Sequence, residues 1–160
     1  MKVSVLIIAH NESEHIASCI ESLLKQTCKP DEIVVVNHNS TDATGEIARR
    51  HPVTVLDHQG PRGSVYARIH GLESVSSDAI LCIDGDAVAA SDWVEVMTNL
   101  LEQEGMAMVG SWIRMRGTWY AALGSLWWHF TCPSRGYKAT DYLWGASFGI
   151  PRSQREFAIR

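Results

Sequence analysis

The sequence lacks a run of apolar residues long enough to cross a bilayer, a CxxC pair, and a stripe of lysine and arginine. The first lack excludes a helical membrane span within these residues. The second leaves the cysteines at 19, 28, 82 and 132 without the spacing of a zinc or dithiol site. Cys19 and Cys82 fall on apolar positions and read as core thiols, so a reducing, cytoplasmic compartment is expected. The third, with 14 basic against 18 acidic residues, gives no reason to expect a nucleic-acid partner. There is no internal repeat, low-complexity tract or linker, and 160 residues fit one domain. The apolar stretch Val3–Ala9 is too short for a signal-peptide core with a cleavage site, and its Ser4 suits a strand. Trp119–Phe130 is the nearest to a membrane-surface segment, but Gly124, Ser125 and His129 interrupt it. It reads first as a buried or substrate-facing helix, with peripheral membrane contact as the alternative.

What is present is alternation. Apolar, β-branched runs predict strands at Val3–Ala9, Glu32–Val36, Val53–Asp57 and Ala79–Ile83, with a further strand within Met106–Met115. Between them, helical periodicity predicts Glu14–Gln26, Asp42–Arg50, Arg62–Ser76 and Ser91–Glu104. The expected caps are Asn11 with Glu14 as a capping box, Ser40 or Thr41, and Ser91. The inward stripes are Ile16, Ile20, Leu23 and Leu24, then Val65, Ile69 and Leu72, then Val94, Met97 and Leu101. A short helix near Tyr120–Phe130 and a strand or loop near Leu143–Ile150 complete the expectation. Strand–helix alternation with near-continuous apolar strands implies an α/β chain with a parallel sheet covered on both faces.

In such a sheet the turns after the first, second and fourth strands share one edge. They hold His10-Asn11-Glu12, Asn37-His38-Asn39-Ser40-Thr41-Asp42 and Asp84-Gly85-Asp86. Open α/β sheets bind ligands at the carboxyl ends of their strands. Asp84 and Asp86 lie two apart, so an extended chain points both carboxylates to one side. Two such oxygens suit a hard divalent cation and, through it, a diphosphate. The same residues also make ordinary turns and caps, and only their gathering at three strand ends points to a site. Arg68, on the third helix, is a candidate for an anionic group, and Gly60-Pro61-Arg62-Gly63 opens that helix. His10 and His38 have no spacing signature of a metal pair and read as polar lining of the pocket.

These turns resemble glycosyltransferase family 2. Val3 to Glu12 is similar to the family's opening VSVIIPAYNE, and Asp31 to Asp42 to DEIIVVDDGSTD. Gly63 to Gly71, with Ala67-Arg68, resembles a helix written G-x-x-x-ARN-x-G. Ile80 to Asp86 followed by Trp93 resembles the segment that carries the DxD motif. Gly145 to Arg152 resembles a later GGN-x-A-x-RR loop. The resemblance implies a GT-A fold, with a Rossmann-like, mostly parallel sheet and helices on both faces. It implies a single GT-A-type domain over 1–160. Residues 1–115 would be the nucleotide-sugar and metal-binding half, and 116–160 a partial acceptor-side region. It implies inverting transfer of a sugar from a nucleotide-diphosphate donor, UDP-type by expectation, to a hydroxyl of a saccharide or lipid-linked acceptor. Carried across, Ala9, Asn11 and Glu12 border the donor pocket, and Asn37 and His38 stand where the family has acidic nucleotide-binding residues. Arg68 lies near the base or diphosphate, Asp84 contacts the ribose or assists the metal, and Asp86 ligates Mg²⁺ or Mn²⁺.

Departures from the pattern are Ile8 for Pro, His10 for Tyr, Ile69 for Asn, and Asn37 and His38 for carboxylates. The family's acceptor base is an Asp beyond the GGN-like loop. Asp141 precedes that loop, so no residue here matches the base. A C-terminal truncation is therefore expected, with the catalytic base beyond Arg160. The alternative is a non-catalytic or incomplete nucleotide-sugar-binding domain. Asp84-Gly85-Asp86-Ala87-Val88 also fits the DxDx(T/V) element of haloacid-dehalogenase-type phosphatases, although there the motif opens the sheet. A nucleotidyltransferase lacks support, since His10-Asn11-Glu12-Ser13 stands where its Gly-rich, basic loop belongs.

Overall fold

The computed structural model describes residues 1–103, 108–110 and 147–154. Six strands form one sheet: β1 (Val3–Ala9), β2 (Glu32–His38), β3 (Thr54–His58), β4 (Ala79–Asp84), β5 (Val109–Gly110) and β6 (Ser147–Pro151). Their spatial order is β3-β2-β1-β4-β6-β5. The first four are parallel, and β6 runs antiparallel to both β4 and β5. The helices are α1 (Ile16–Leu24), α2 (Thr44–Ala48), α3 (Ser64–Ser74) and α4 (Trp93–Leu101).

Both faces of the sheet are covered, which explains why β1 is buried at every residue. Val5, Ile7, Val35, Leu81 and Ile83 meet Ile16, Ile20 and Leu23 of α1, Ala48 of α2 and Val94, Met97 and Leu101 of α4. Leu6, Val34, Ile80 and Cys82 point the other way and meet Leu72 of α3. Each fully buried Leu or Ile contributes about 1.5–3 kcal/mol relative to exposure, so the central strands anchor the fold.

Two aspartates set the register at the foot of β1. Asp78, just before β4, accepts from the Lys2 amide at 2.8 Å, and Asp31, just before β2, accepts from the Val3 amide at 2.8 Å. Ile7 is then opposite Val35 and Ile83. The far ends of β1, β2 and β4 come level as a result.

The helices start later than the periodicity predicts, and the reason is side-chain competition. Asn11 does not cap α1: it has φ 56° and its Oδ1 accepts from the Thr41 amide at 2.8 Å. Helix α1 therefore begins at Ile16 with no side-chain cap. Ser40 accepts from the Asn11 amide, so Asp42 rather than Ser40 or Thr41 serves the start of α2, accepting from the Thr44 amide at 3.0 Å. Ser91 does not cap α4 either; its carbonyl accepts from the Thr27 amide, and α4 begins after Asp92. On α3 the predicted stripe is rotated. Ala67, Gly71 and Leu72 are buried while Val65 is 61% exposed, because the helix presents its small residues to the sheet. The predicted helix at Tyr120–Phe130 and most of the Met106–Met115 segment lie outside the described residues. So does Arg160, beyond which the acceptor base is expected: the last described residue is Gln154, and no position for that base follows from the fold.

Candidate functional site

The carboxyl ends of the parallel strands open into a cleft of about 880 Å³, lined by His10, Asn11 and Glu12, then His38, Asn39 and Thr41, then Gly60 and Arg62 to Ser64, then Asp84 to Asp86. That volume lies within the range of small-molecule and cofactor sites. The three predicted turns thus converge, and a fourth, after β3, joins them.

The first two turns are interlocked. Asn11 accepts from Thr41 N–H and donates its own amide to Ser40 Oγ at 3.1 Å. The Glu12 amide donates to Thr44 Oγ1 at 2.7 Å, and the Ser13 amide to Asp42 Oδ2 at 3.1 Å. Against the cost of burial, the Thr44 and Ser13 bonds hold the Asp42 carboxyl at about 2, below its ordinary range. The second positive-φ residue outside glycine, Asn39 (φ 51°), ties the fourth turn in. Its Nδ2 donates to Gly60 O at 2.9 Å and its Oδ1 accepts from Gly60 N at 3.2 Å. Asn is one of few residues that tolerates this left-handed backbone.

Asp84-Gly85-Asp86 turns tightly off β4. The Gly85 amide donates to Ile8 O at 2.8 Å, and a Cβ there would stand 3.1 Å from the Ala9 Cβ. Ala9 is therefore buried beneath the turn rather than open to the cleft. Arg68 of α3 donates through Nη2 to Asp84 Oδ1 at 2.7 Å and through Nη1 to Ser64 Oγ at 2.9 Å. Burial raises the Asp84 carboxyl; Arg68 opposes that and Asp86 adds to it. Glu12 is also raised, first by burial and then by Asp86, with Asp42 and Asp84 adding and His15 opposing. Asp86 itself is exposed.

Three carboxylates lining one cleft make a cation welcome. Asp86 and the second oxygen of Asp84 are hard donors, the kind Mg²⁺ and Mn²⁺ take, usually alongside phosphate oxygens and water. Among the described residues no group of three or more His, Cys, Asp or Glu side chains is arranged to hold a metal alone. A hard cation sharing its sphere with a diphosphate fits that donor set.

Two expected contacts are placed differently. The resemblance sets Asn37 beside the pocket, yet alternate residues of β2 face opposite ways, and His38 takes the cleft side. Asn37 instead donates to Asp57 Oδ1 at 2.8 Å on the α2 side, where Arg49 also pairs with Asp57. His38 reaches the cleft but is only 4% exposed. It belongs to a row of imidazoles that the sequence does not reveal. His38 lies 5.0 Å from the His58 ring, and His58 stacks 4.5 Å from His70. Burial and the neighbouring His70 and His38 hold His58 below its ordinary pKa. The missed signal is positional: His38 and His58 end adjacent strands in register.

Residues 4–153 match the family model described as glycosyl transferase family 2. The chain is 31% identical over 117 residues to the glycosyltransferase GlyA of Streptococcus pneumoniae, covering 69% of this chain and 17% of that protein. It is 32% identical over 115 residues to the glycosyltransferase AglE of Haloferax volcanii, covering 68% of this chain and 38% of that protein. Among solved structures, a mannosyltransferase from Pyrobaculum calidifontis, in complex with GDP-Man and Mn²⁺, superposes with a TM-score of 0.74 at 23% identity. That superposition covers 98% of this chain and 46% of that one. Glucosyl-3-phosphoglycerate synthase from Mycobacterium tuberculosis, in complex with Mn²⁺, UDP-glucose and phosphoglyceric acid, gives a TM-score of 0.69 at 24% identity. Here the shares are 95% and 57%. The chain thus spans less than two thirds of these proteins, and its α/β fold is the GT-A fold of those structures. With the family model matched over nearly its whole length, the chain belongs to glycosyltransferase family 2.

Proposed function

We propose that this cleft binds a nucleotide-diphosphate sugar with a divalent metal and supports inverting transfer of the sugar to a hydroxyl of a saccharide or lipid-linked acceptor. The observation that carries it is the gathering of Glu12, Asp84 and Asp86 on one cleft at the end of β4. Asp86, exposed at the cleft mouth, and the second carboxylate oxygen of Asp84 would hold Mg²⁺ or Mn²⁺. Such a cation would supply positive charge against the charge that develops on a departing nucleoside diphosphate. Arg68 keeps Asp84 aimed and opposes the burial that raises its carboxyl. The Asn11–Thr41 and Asn39–Gly60 bonds hold the pocket walls before the donor arrives, so little ordering cost falls on binding. The carboxylate that takes the acceptor's proton is assigned to no residue up to Arg160. The similar structures that carry GDP-Man or UDP-glucose with Mn²⁺ support this reading. The phosphatase reading has no such support, and in this chain Arg68 already engages the Asp84 carboxylate.

Thermal-shift and calorimetric screening of nucleotide-diphosphate sugars, with and without Mn²⁺, tests the proposal. Donor at a hundredfold over Kd stabilises the fold by about 2.7 kcal/mol. That stabilisation is expected only with metal present. Binding of equal strength without metal, or no binding across the panel, overturns it.

A further inference from the structure

The polar groups along one face of α1, and in the turn beyond it, are spent on a segment far away in sequence. That segment runs from Gly85 to Asp92, between β4 and α4, and contains no helix or strand. Cys19 Sγ lies 3.7 Å from Asp84 O, the carbonyl that also accepts from the Ala87 amide. Ser22 Oγ accepts from the Ala89 amide at 3.0 Å while donating to Cys19 O. Gln26 Nε2 donates to Ala90 O, and Gln26 Oε1 accepts from the Val94 amide at 2.8 Å. The Thr27 amide donates to Ser91 O at 2.8 Å. Cys19, Ser22 and Gln26 follow at intervals of three and four, the spacing of one helix face.

Gln26 is the centre of this set. It is 4% exposed, and its Nε2 also donates to Ser22 O, so its carbonyl and both its N–H bonds are engaged. Helix α4 has no side-chain cap of its own. Gln26 supplies one from across the core, meeting a first-turn amide that has no partner within the helix. A buried amide satisfied in this way fixes its partners in one arrangement, whereas an apolar residue in its place would leave the Val94 N–H unpaired.

Neither Ser22 nor Gln26 lines the cleft. Asp86 does, and it is exposed, so its carboxylate is placed by the backbone on either side of it. Before it, the Gly85 amide is held by Ile8 O; after it, the chain is held by α1. We infer that Gln26 and Ser22 are positioning residues for the metal site. From behind the cleft they fix the path of the chain that follows Asp86, and with it the strength with which a divalent ion is held. The inference rests on the donor and metal reading above.

Calorimetry tests this with UDP or GDP, whichever binds the unaltered protein more tightly, at a fixed nucleotide concentration and rising Mn²⁺. Each variant is measured at a temperature where circular dichroism shows it folded. Gln26→Met keeps the length of the side chain without its polar atoms, and should raise the Mn²⁺ needed for half-maximal binding about tenfold. Ser22→Ala should raise it by less, and Ser22→Thr, which keeps the hydroxyl, should stay at the parental value. Ile33→Ala opens a cavity at the other end of the sheet. It should lower the urea midpoint at least as far as Gln26→Met while leaving the Mn²⁺ requirement unchanged. A parental Mn²⁺ requirement in Gln26→Met, or an equal rise in Ile33→Ala, overturns the inference and leaves the donor and metal reading standing. Where Gln26→Met does not fold, the Ser22 pair decides: a parental requirement in Ser22→Ala overturns it. Binding by the unaltered protein that ignores Mn²⁺, or no binding of either nucleotide, overturns both.

Discussion

Arg68 Nη2 donates to Asp84 Oδ1 at 2.7 Å, joining the third helix to the end of the strand that opens the site. The guanidinium also lies 6.0 Å above the Phe148 ring, so one side chain ties α3, β4 and β6 together. The two side chains are 16% and 32% exposed, intermediate between a surface pair and a buried one. Arg68→Leu leaves a partly buried carboxylate without its counter-ion. It should cost about 1–3 kcal/mol in chemical denaturation, and Asp84→Asn should recover part of that loss in the double variant. Strict additivity of the two changes would show that the contact is not energetically coupled.

Asp86 carries no such structural duty. It is exposed, so Asp86→Ala should change stability by no more than about 0.5 kcal/mol in the absence of ligand. In the presence of Mn²⁺ and a nucleoside diphosphate, the same variant should lose the ligand-induced rise in Tm. Retention of the full rise would remove Asp86 from the metal site.

The interlocked turns make a graded prediction at Asn11. Asn11→Ala loses the bond to Thr41 and puts an ordinary side chain at φ 56°, whereas Asn11→Gly loses only the bond. The Ala variant should be less stable than the Gly variant by about 1 kcal/mol. An equal loss in both would mean that the left-handed backbone carries no strain for alanine here.

Close packing of α3 on the sheet is tested at Gly71. An added Cβ would stand 2.9 Å from Val36 Cγ2 and 3.2 Å from Leu6 Cδ1. Gly71→Ala gains helix propensity of about 1 kcal/mol but overpacks the core by about 1–3 kcal/mol, so net destabilisation is expected. A rise in denaturation midpoint would show that α3 shifts freely on the sheet.

The imidazole row predicts a pH dependence with a definite sign. His58 takes up its proton at lower pH when folded than the ordinary value of 6.5. Below that value the unfolded chain binds more protons than the folded one, so stability falls as pH drops from 6.5 toward the folded pKa and is unaffected above. His58→Phe preserves a stacking ring without a titration. Urea denaturation from pH 7.5 down to about pH 5 should show the parent losing stability relative to this variant. Parallel curves would place His58 outside the coupling with His38 and His70.

Much of the fold was legible because apolar strands and amphipathic helices announce themselves by period. All four parallel strands fall where Val, Ile and Leu cluster, and the Met97–Leu101 face of α4 is buried as expected. The convergence of the turns followed from topology alone. What sequence did not reveal lies in side-chain competition. Asn11 and Ser40 looked like helix caps, yet each had a better partner across the loop interface. The rotation of α3 was hidden because Val65, Ile69 and Leu72 make as regular a stripe as Ala67, Gly71 and Leu72, and only the space above Leu6 and Val36 decides between them. The imidazole row was hidden because His38, His58 and His70 are far apart along the chain, and only the β2–β3 register brings the first two together.

The position of β6 bears on how the molecule is made. Ser147–Pro151 pairs with Ala79–Ile83, so the strand bearing Asp84 has β1 on one side but gains its other neighbour only once residue 147 and those after it have been made. Until then the nascent chain presents an apolar, unpaired backbone edge beside the acidic turn at its end. Closing so long a loop adds little to the equilibrium cost, because closure entropy grows only logarithmically with length. It does slow the search, since distant pairings form late. Premature termination before residue 147 should therefore yield a chain that assembles its first four strands and then associates through the open side of β4.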